Sequence, residues 1–278
     1  MIMNELRKRA MEISPLCVGI DLREDHVPQE LKNLPIEEQF VEYAKEIIDA
    51  SKEYAACYKL QIACYEGYGL AGLRAYKTIL ETVRRAGHIS IADIKRGDIG
   101  STAEMYAKGH FEGDLEADIL TLNPYMGHDA ISPYAKYVST KNKGAFILGK
   151  TSNPGSRDFQ DLKVGDEYLY QQVIRTIDRW NKELEGYEGF GGYGVVVGVN
   201  NADDIALLRS VTSQLFMLIP GYGAQGAKIE DIAALVREHK NGVVNVSRGL
   251  TAKIEGDFRK VLRDRAATLA GELRECFR

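Results

Sequence analysis

The chain holds few of the residues that build a stapled or metal-dependent fold. Its 278 residues include only four cysteines, five histidines, seven prolines and one tryptophan. Cys17, Cys57, Cys64 and Cys276 form no Cys-x-x-Cys pair, and Cys17 and Cys57 lie inside apolar runs. They read as small buried hydrophobes rather than disulfide partners or zinc ligands. The histidines show neither His-x-x-x-His nor His/carboxylate spacing, so no metal is expected. His128, just after Gly127, reads as a surface or capping residue. Nowhere do ~20 apolar residues run together, so no membrane-spanning helix is expected. Residues 1–14 mix charge with short apolar stretches and lack the continuous apolar segment of a secretory signal. A cytoplasmic protein is therefore expected. Positive charge is also not in excess: 36 basic against 40 acidic residues give a net charge of -4. That balance leaves no electrostatic footprint for nucleic acid or an anionic membrane. There is no internal repeat, low-complexity tract or linker, so residues 1–278 are expected to form one domain with an ordinary core.

What is present is an alternation. Short apolar runs occupy 17–21, 57–62, 88–93, 117–122, 145–149, 193–198, 215–219 and 243–246. Most are too short for helices, and Gly, Pro or charge bounds several, so strands are expected. Amphipathic stretches separate them. Phe40, Tyr43, Ala44, Ile47 and Ile48 share one helical face, as do Leu73, Tyr76, Leu80 and Val83. Ile229, Ile232, Ala233 and Val236 repeat the pattern, and Phe258, Val261, Leu262, Ala266 and Leu269 close the chain with it. Less sharply patterned helices are expected around 102–112, 128–137, 165–184 and 202–210. Eight strand-then-helix units predict an α/β fold, a closed (β/α)8 TIM barrel. A doubly wound open sheet would more often carry a Gly-rich turn after its first strand, where this chain has Gly19-Ile20-Asp21-Leu22-Arg23. The glycine-rich stretch 189–198 lacks phosphate-loop spacing and reads as the approach to strand six. The longest irregular stretch, 153–166, has the Gly, Asp and Ser content of a mobile active-site loop.

A barrel places its chemistry at the C-terminal ends of its strands. Polar residues gather there: Asp21, Lys59, Asp93 with Lys95, Ser152, Gln225 and Arg248. Any one alone would be an ordinary loop start. The third unit reads Ile91-Ala92-Asp93-Ile94-Lys95-Arg96-Gly97-Asp98. Asp93 and Lys95 are two apart, so an extended strand aims both into the barrel mouth, where each would hold the other ionised. Asp98 falls where a helix could begin, as an N-cap would.

This stretch resembles the Asp-x-Lys-x-x-Asp signature of the orotidine 5'-monophosphate decarboxylase superfamily, and the resemblance extends along nearly the whole chain. Val18-Gly19-Ile20-Asp21 is similar to the family's opening strand, and Tyr58-Lys59 to its second. Ser152-Asn153-Pro154-Gly155 is similar to its pyrimidine-side turn. The run from Pro220 to Gln225 resembles the phosphate-side loop, and Ser247-Arg248-Gly249 the final arginine segment. The wording around Ser152 and Asn123-Pro124-Tyr125 resembles the bacterial type 2 branch.

The resemblance implies decarboxylation of a pyrimidine nucleotide without metal or organic cofactor. It makes Lys95 the cation beside the reacting carbon and then the proton donor, with Asp93, Asp98 and Lys59 completing a charged array. It assigns Asp21 and Lys59 to ribose hydroxyls and Ser152 to the pyrimidine edge. Gln225, Arg248, Pro220 and the backbone around Gly249 fall to the 5'-phosphate. A homodimer is implied, in which Asp98, Ile99 and Thr102 reach the neighbouring subunit's site. Two other readings remain. A Mg2+-dependent sugar-phosphate lyase or synthase shares the signature, but should carry an acidic ligand where this chain has Lys59. A non-catalytic nucleotide-binding barrel would have little reason to assemble Lys59, Asp93, Lys95 and Asp98.

Overall fold

Each short apolar run becomes one strand of a barrel in the computed structural model, which describes residues 1–199, 203–220, 222, 228–252 and 254–278. The strands are β1 (Leu16–Gly19), β2 (Cys57–Gln61), β3 (Ile89–Arg96), β4 (Ile119–Leu122), β5 (Gly144–Lys150), β6 (Tyr193–Val197), β7 (Met217–Pro220) and β8 (Gly242–Val246). They pair in parallel in chain order, and β1 closes on β8 with Leu16 opposite Val244. The predicted (β/α)8 barrel is the fold observed. Among the described residues no helix is long and apolar enough to cross a membrane.

The helices longer than one turn are α1 (Ile2–Glu12), α2 (Ile36–Ser51), α3 (Gly69–Arg85), α4 (Gly100–Phe111), α5 (Ala135–Lys141), α6 (Leu169–Lys182), α7 (Asp203–Thr212), α8 (Ile229–Val236) and α9 (Phe258–Arg274). The expected apolar faces point inward: Phe40, Tyr43, Ala44, Ile47 and Ile48 of α2 are all buried, as are Phe258, Leu262 and Ala266 of α9, while Val261 and Leu269 are half-buried. The stretch 128–137 departs from the sequence reading. It holds two 3-10 turns before α5 begins, and Gly127 enters them with φ +81°. His128 is exposed there and packs against Trp180, with ring centroids 5.3 Å apart and planes tilted by 41°. The stretch 153–166 is not irregular either. It contains a 3-10 turn (Pro154–Asp158) and the first strand of a small antiparallel hairpin that pairs Lys163 with Tyr168.

Strand alternation divides the apolar side chains into two sets. Leu16, Val18, Tyr58, Leu60, Ala92 and Leu120 face the helices. Cys17, Cys57, Ile89, Ile91, Ile119, Phe146, Val196, Leu218 and Val243 fill the barrel interior. α1, which the sequence reading left as a charged terminus, supplies the floor. Its Ile2, Met3, Leu6 and Ala10 join the interior set and are buried. Three polar clamps seat it: Asn4 Nδ2 donates to the Glu188 carbonyl at 2.8 Å, the Arg7 guanidinium to the His239 carbonyl at 3.1–3.2 Å, and the Arg9 guanidinium to the Gly87 carbonyl at 2.9–3.0 Å. Gly144 permits the close fit, since a Cβ there would lie 2.6 Å from Ile2 Cγ2.

Leu6→Ala should therefore behave as a core truncation. The expected loss is about 2–5 kcal/mol, seen as a lower urea midpoint at unchanged slope. A loss below about 0.5 kcal/mol, typical of a surface helix, would show that α1 does not plug the barrel.

Candidate active site

The inward parity that packs aliphatic side chains low in the barrel brings polar ones inward at the strand ends. On β2 the interior series runs Cys57, Lys59, Gln61, and on β3 it runs Ile89, Ile91, Asp93, Lys95. Ile119 is followed by Thr121 on β4, and Val243 by Asn245 on β8. A cavity of about 410 Å³ opens above this layer, lined among others by Asp21, Lys59, Asp93, Lys95, Ser152 and Pro220. A second cavity of about 230 Å³ adjoins it and holds Arg248, Gly249 and Ser247. The two share Asp21, Gln61, Pro220 and Asn245 as a common wall.

Asp93 is the hub. Lys95 Nζ donates to its Oδ1 at 2.5 Å and Thr121 Oγ1 to the same oxygen at 2.8 Å. Lys59 Nζ and Gln61 Nε2 each donate to Oδ2 at 3.1 Å. These donors occupy the roughly four lone-pair positions that a carboxylate offers. Burial alone would raise the Asp93 pKa. The charges of Lys59 and Lys95, with hydrogen bonds from Lys95 and Thr121, outweigh that and hold it at about 2. Burial works the other way on Lys59, pushing its pKa down, but Asp21 and Asp93 more than compensate and raise it above the usual lysine value. Lys59 thus remains an ammonium although it is almost wholly buried.

Asp21 closes the far end of the array. It accepts from Lys59 Nζ at 3.3 Å, from the Gln61 backbone N–H at 3.0 Å and from Ser247 Oγ at 2.6 Å. Gly19 makes room for that last contact, because a Cβ there would lie 1.9 Å from Ser247 Oγ. The sequence Asp21, Lys59, Asp93, Lys95 alternates in sign and sums to zero.

Lys95 reaches Asp93 by a route that simple alternation does not describe. Between Ala92 and Arg96 the ladder slips: Ala92 pairs with Leu120, and Arg96 pairs with Leu122. β3 therefore spends four steps where β4 spends two, and the bulge puts Lys95 at φ +45°. A non-glycine residue there costs about 1–2 kcal/mol. The Lys95 N–H is held in that conformation by Thr121 Oγ1 at 2.9 Å. One hydroxyl thus fixes both the lysine backbone and the carboxylate that its ammonium meets. The Lys95 side chain is still 45% exposed, so it faces the cavity rather than the packed core.

The remaining expected residues divide. Ser152 lines the larger cavity, Arg248 and Gly249 the smaller, and Pro220 both. Asp98, Ile99 and Thr102 do not join the array. Asp98 is not the cap of α4, whose N-cap is Ile99; its Oδ1 accepts the Ile99 N–H at 2.8 Å. The φ +55° of Gly100 delays the helix past Asp98. Ile99 and Thr102 are exposed. Gln225 lies outside the described residues. Sequence reasoning missed Gln61, Thr121 and Asn245, although each stands two residues beyond an interior position and carried the signal that singled out Lys95.

Comparisons with known proteins give concordant matches over nearly the whole chain. Residues 14–258 match the model of the orotidine 5'-phosphate decarboxylase / HUMPS family. A curated orotidine 5'-phosphate decarboxylase of Clostridium tetani is 43% identical over 253 residues, 90% of this chain and 88% of that one. That of Clostridium acetobutylicum is 44% identical over 275 residues, covering 97% and 96%. Among solved structures, Leishmania donovani OMP decarboxylase superposes with a TM-score of 0.81 at 32% identity, covering 99% and 98%. A putative orotidine 5'-phosphate decarboxylase of Streptomyces avermitilis gives 0.84 at 29% identity, covering 99% and 95%.

The electrostatics of Asp93 can be read from stability. Its pKa is depressed from 3.8 to about 2, so its stabilisation is complete above about pH 5 and is lost as pH falls through 4 towards 2. The stability gap between wild type and Asp93→Asn should narrow by roughly 1–2 kcal/mol over that interval in urea titrations. A gap that does not change with pH would mean that the carboxylate is not held by the two ammonium groups.

Proposed function

The chain belongs to the orotidine 5'-phosphate decarboxylase / HUMPS family, and from that membership we propose which of its residues carry the reaction. The protein is an enzyme that decarboxylates orotidine 5'-monophosphate to uridine 5'-monophosphate, the last step of de novo pyrimidine synthesis. The observation that carries the residue-level reading is the alternating array centred on Asp93, with one partly exposed ammonium aimed into the cavity.

Losing CO2 from C6 leaves an electron pair in the plane of the ring, where the π system does not delocalise it. A fixed positive charge next to C6 lowers the energy of that carbanion as it forms. Lys95 supplies the charge and then transfers one Nζ proton to C6, so that the C6–CO2 bond is replaced by C6–H and CO2 departs neutral. The lysine is left as an amine, and its open side recovers a proton from solvent. Asp93 already accepts from about four donors and is held ionised, which suits it to aiming Lys95 and not to acting as a base. Asp21 and Lys59 face the ribose hydroxyls, and Ser152 faces the pyrimidine edge. Arg248 and the backbone at Gly249, with Pro220 at the end of β7 and with Gln225 by the family resemblance, take the phosphate at the end of β8, the usual barrel location. Gripping the remote phosphate can then supply energy for closing the site around the ring.

The metal-dependent sugar-phosphate alternative fits this donor set poorly. The Lys59 ammonium sits between Asp21 and Asp93, where a hard cation would require oxygen ligands. Asp98, Ile99 and Thr102 we assign to the site of a second copy. Supporting this, Ile99 at the N-cap of α4, Met105 on α4, and Tyr125 and Met126 in the turn after β4 are large exposed apolar side chains, and they follow the neighbouring strands β3 and β4. A cytoplasmic location is part of the same proposal.

Purified protein in excess chelator should deplete orotidine 5'-monophosphate, followed by its absorbance. Lys95→Ala should abolish that turnover while keeping measurable affinity for uridine 5'-monophosphate; retention of most activity would remove Lys95 from the chemistry. Shared sites give a separate signature. Lys95→Ala and Asp98→Ala, each inactive alone, should regain turnover when mixed, because each mixed dimer contains one site with both native residues. No recovery after subunit exchange would assign Asp98 to its own chain.

A further inference from the structure

The mouth of the barrel holds a second buried ammonium that takes no part in the array. Lys150 ends β5, two residues before Ser152, and its side chain is 3% exposed. Alternation from Leu148, which lines the active cavity, would turn Lys150 inward as well. The ladder with β6 slips instead: Leu148 pairs with Val196 and Lys150 with Val197. The slip sends Lys150 outward beneath the loops. There its Nζ lies 3.1 Å from Asp161 Oδ1, 3.1 Å from Asp204 Oδ2 and 4.0 Å from the centre of the Tyr170 ring.

We propose that Lys150 is a positioning residue that sets Ser152 against the pyrimidine ring, by tying the loop after β5 to the start of α7. This rests on the reading that Ser152 faces the base. The loop is built so that a pull at Asp161 reaches Ser152. Gln160, next to Asp161, clamps Thr151: its Oε1 accepts the Thr151 N–H at 2.8 Å and its Nε2 donates to Thr151 Oγ1 at 2.8 Å. Thr151 Oγ1 donates in turn to Asn153 Oδ1 at 2.7 Å, so the residues on both sides of Ser152 are held. From the opposite side the Gly198 N–H donates to the Lys150 carbonyl at 2.8 Å. Gly198 packs so closely that a Cβ would lie 2.7 Å from Ser152 N.

The buried cation is what lets the two carboxylates approach from separate segments. Without it they are left partly buried and facing each other, which favours their separation. Asp161 then carries Gln160, and with it the Thr151–Asn153 turn, away from its seat. Nothing in this chain of contacts involves Arg248 or Gly249 on the far wall, or the hub at Asp93. The consequence should be selective, weakening recognition of the base and sparing the phosphate.

The test compares two ligands on the full-length protein: uridine 5'-monophosphate, and ribose 5-phosphate, which lacks the base. Titration calorimetry on Lys150→Met should show affinity for the nucleotide falling about tenfold, equivalent to 1.4 kcal/mol, with ribose 5-phosphate changed less than about twofold. The kcat/KM for orotidine 5'-monophosphate should fall in parallel. Asp161→Asn, at a half-buried loop position, should move the affinity ratio in the same direction by less, and it carries the test if Lys150→Met does not fold. A lower melting temperature with an unchanged ratio in the foldable variants would make Lys150 a structural residue only and overturn the proposal. A wild-type protein that binds both ligands equally would instead overturn the placement of the base beside Ser152, and the proposal with it.

Discussion

The charged array at the mouth of this barrel depends on one carboxylate shared between two ammonium groups. Asp93 is buried, and a buried carboxylate is tolerable only if its charge is answered and its lone pairs are filled. Lys59 and Lys95 answer the charge; Gln61 and Thr121 complete the hydrogen bonding. The result is an ammonium whose position is set before any ligand arrives. Electrostatic catalysis requires this, because a charge that must reorient during the reaction gives back much of what it stabilises.

The surrounding architecture separates two demands that would conflict in a uniform interior. Low in the barrel, α1 and the aliphatic interior set exclude water and lock the strands together. One residue pair further along the same strands, the same inward parity delivers Lys59, Asp93, Thr121 and Asn245. The polar layer therefore rests on a dry floor on one side and faces a cavity on the other. Solvent reaches the exposed part of Lys95, where the proposed reaction exchanges a proton, and is kept from Lys59, whose charge is held by Asp21 and Asp93.

Much of this was legible in the sequence, for identifiable reasons. Period-two spacing placed Asp93 and Lys95 on one side, and all eight strands fell where short apolar runs stood. The agreement at Lys95 was partly fortunate, since a bulge with φ +45° intervenes and no residue type announces it. Thr121 was overlooked because a threonine in a strand is ordinary; its importance comes from β4 lying next to β3. α1 was hidden by its charged residues, since only four positions of an eleven-residue helix face the core. Lys150 carries no sequence signal of its burial. Its partners Asp161 and Asp204 lie on two later segments, and only the folded chain brings them together.

The floor helix also orders events in time. α1 emerges from synthesis before any barrel strand, yet two of its three polar clamps are the carbonyls of Glu188 and His239, and its apolar partners include Phe146 and Phe216. Its residues must wait, largely unsatisfied, until most of the chain has been made. Such long sequence separations slow folding and leave apolar surface uncovered in the interim. A segment made before every barrel strand is thus among the last to be fully seated, and the nascent barrel is open at its base for much of its assembly.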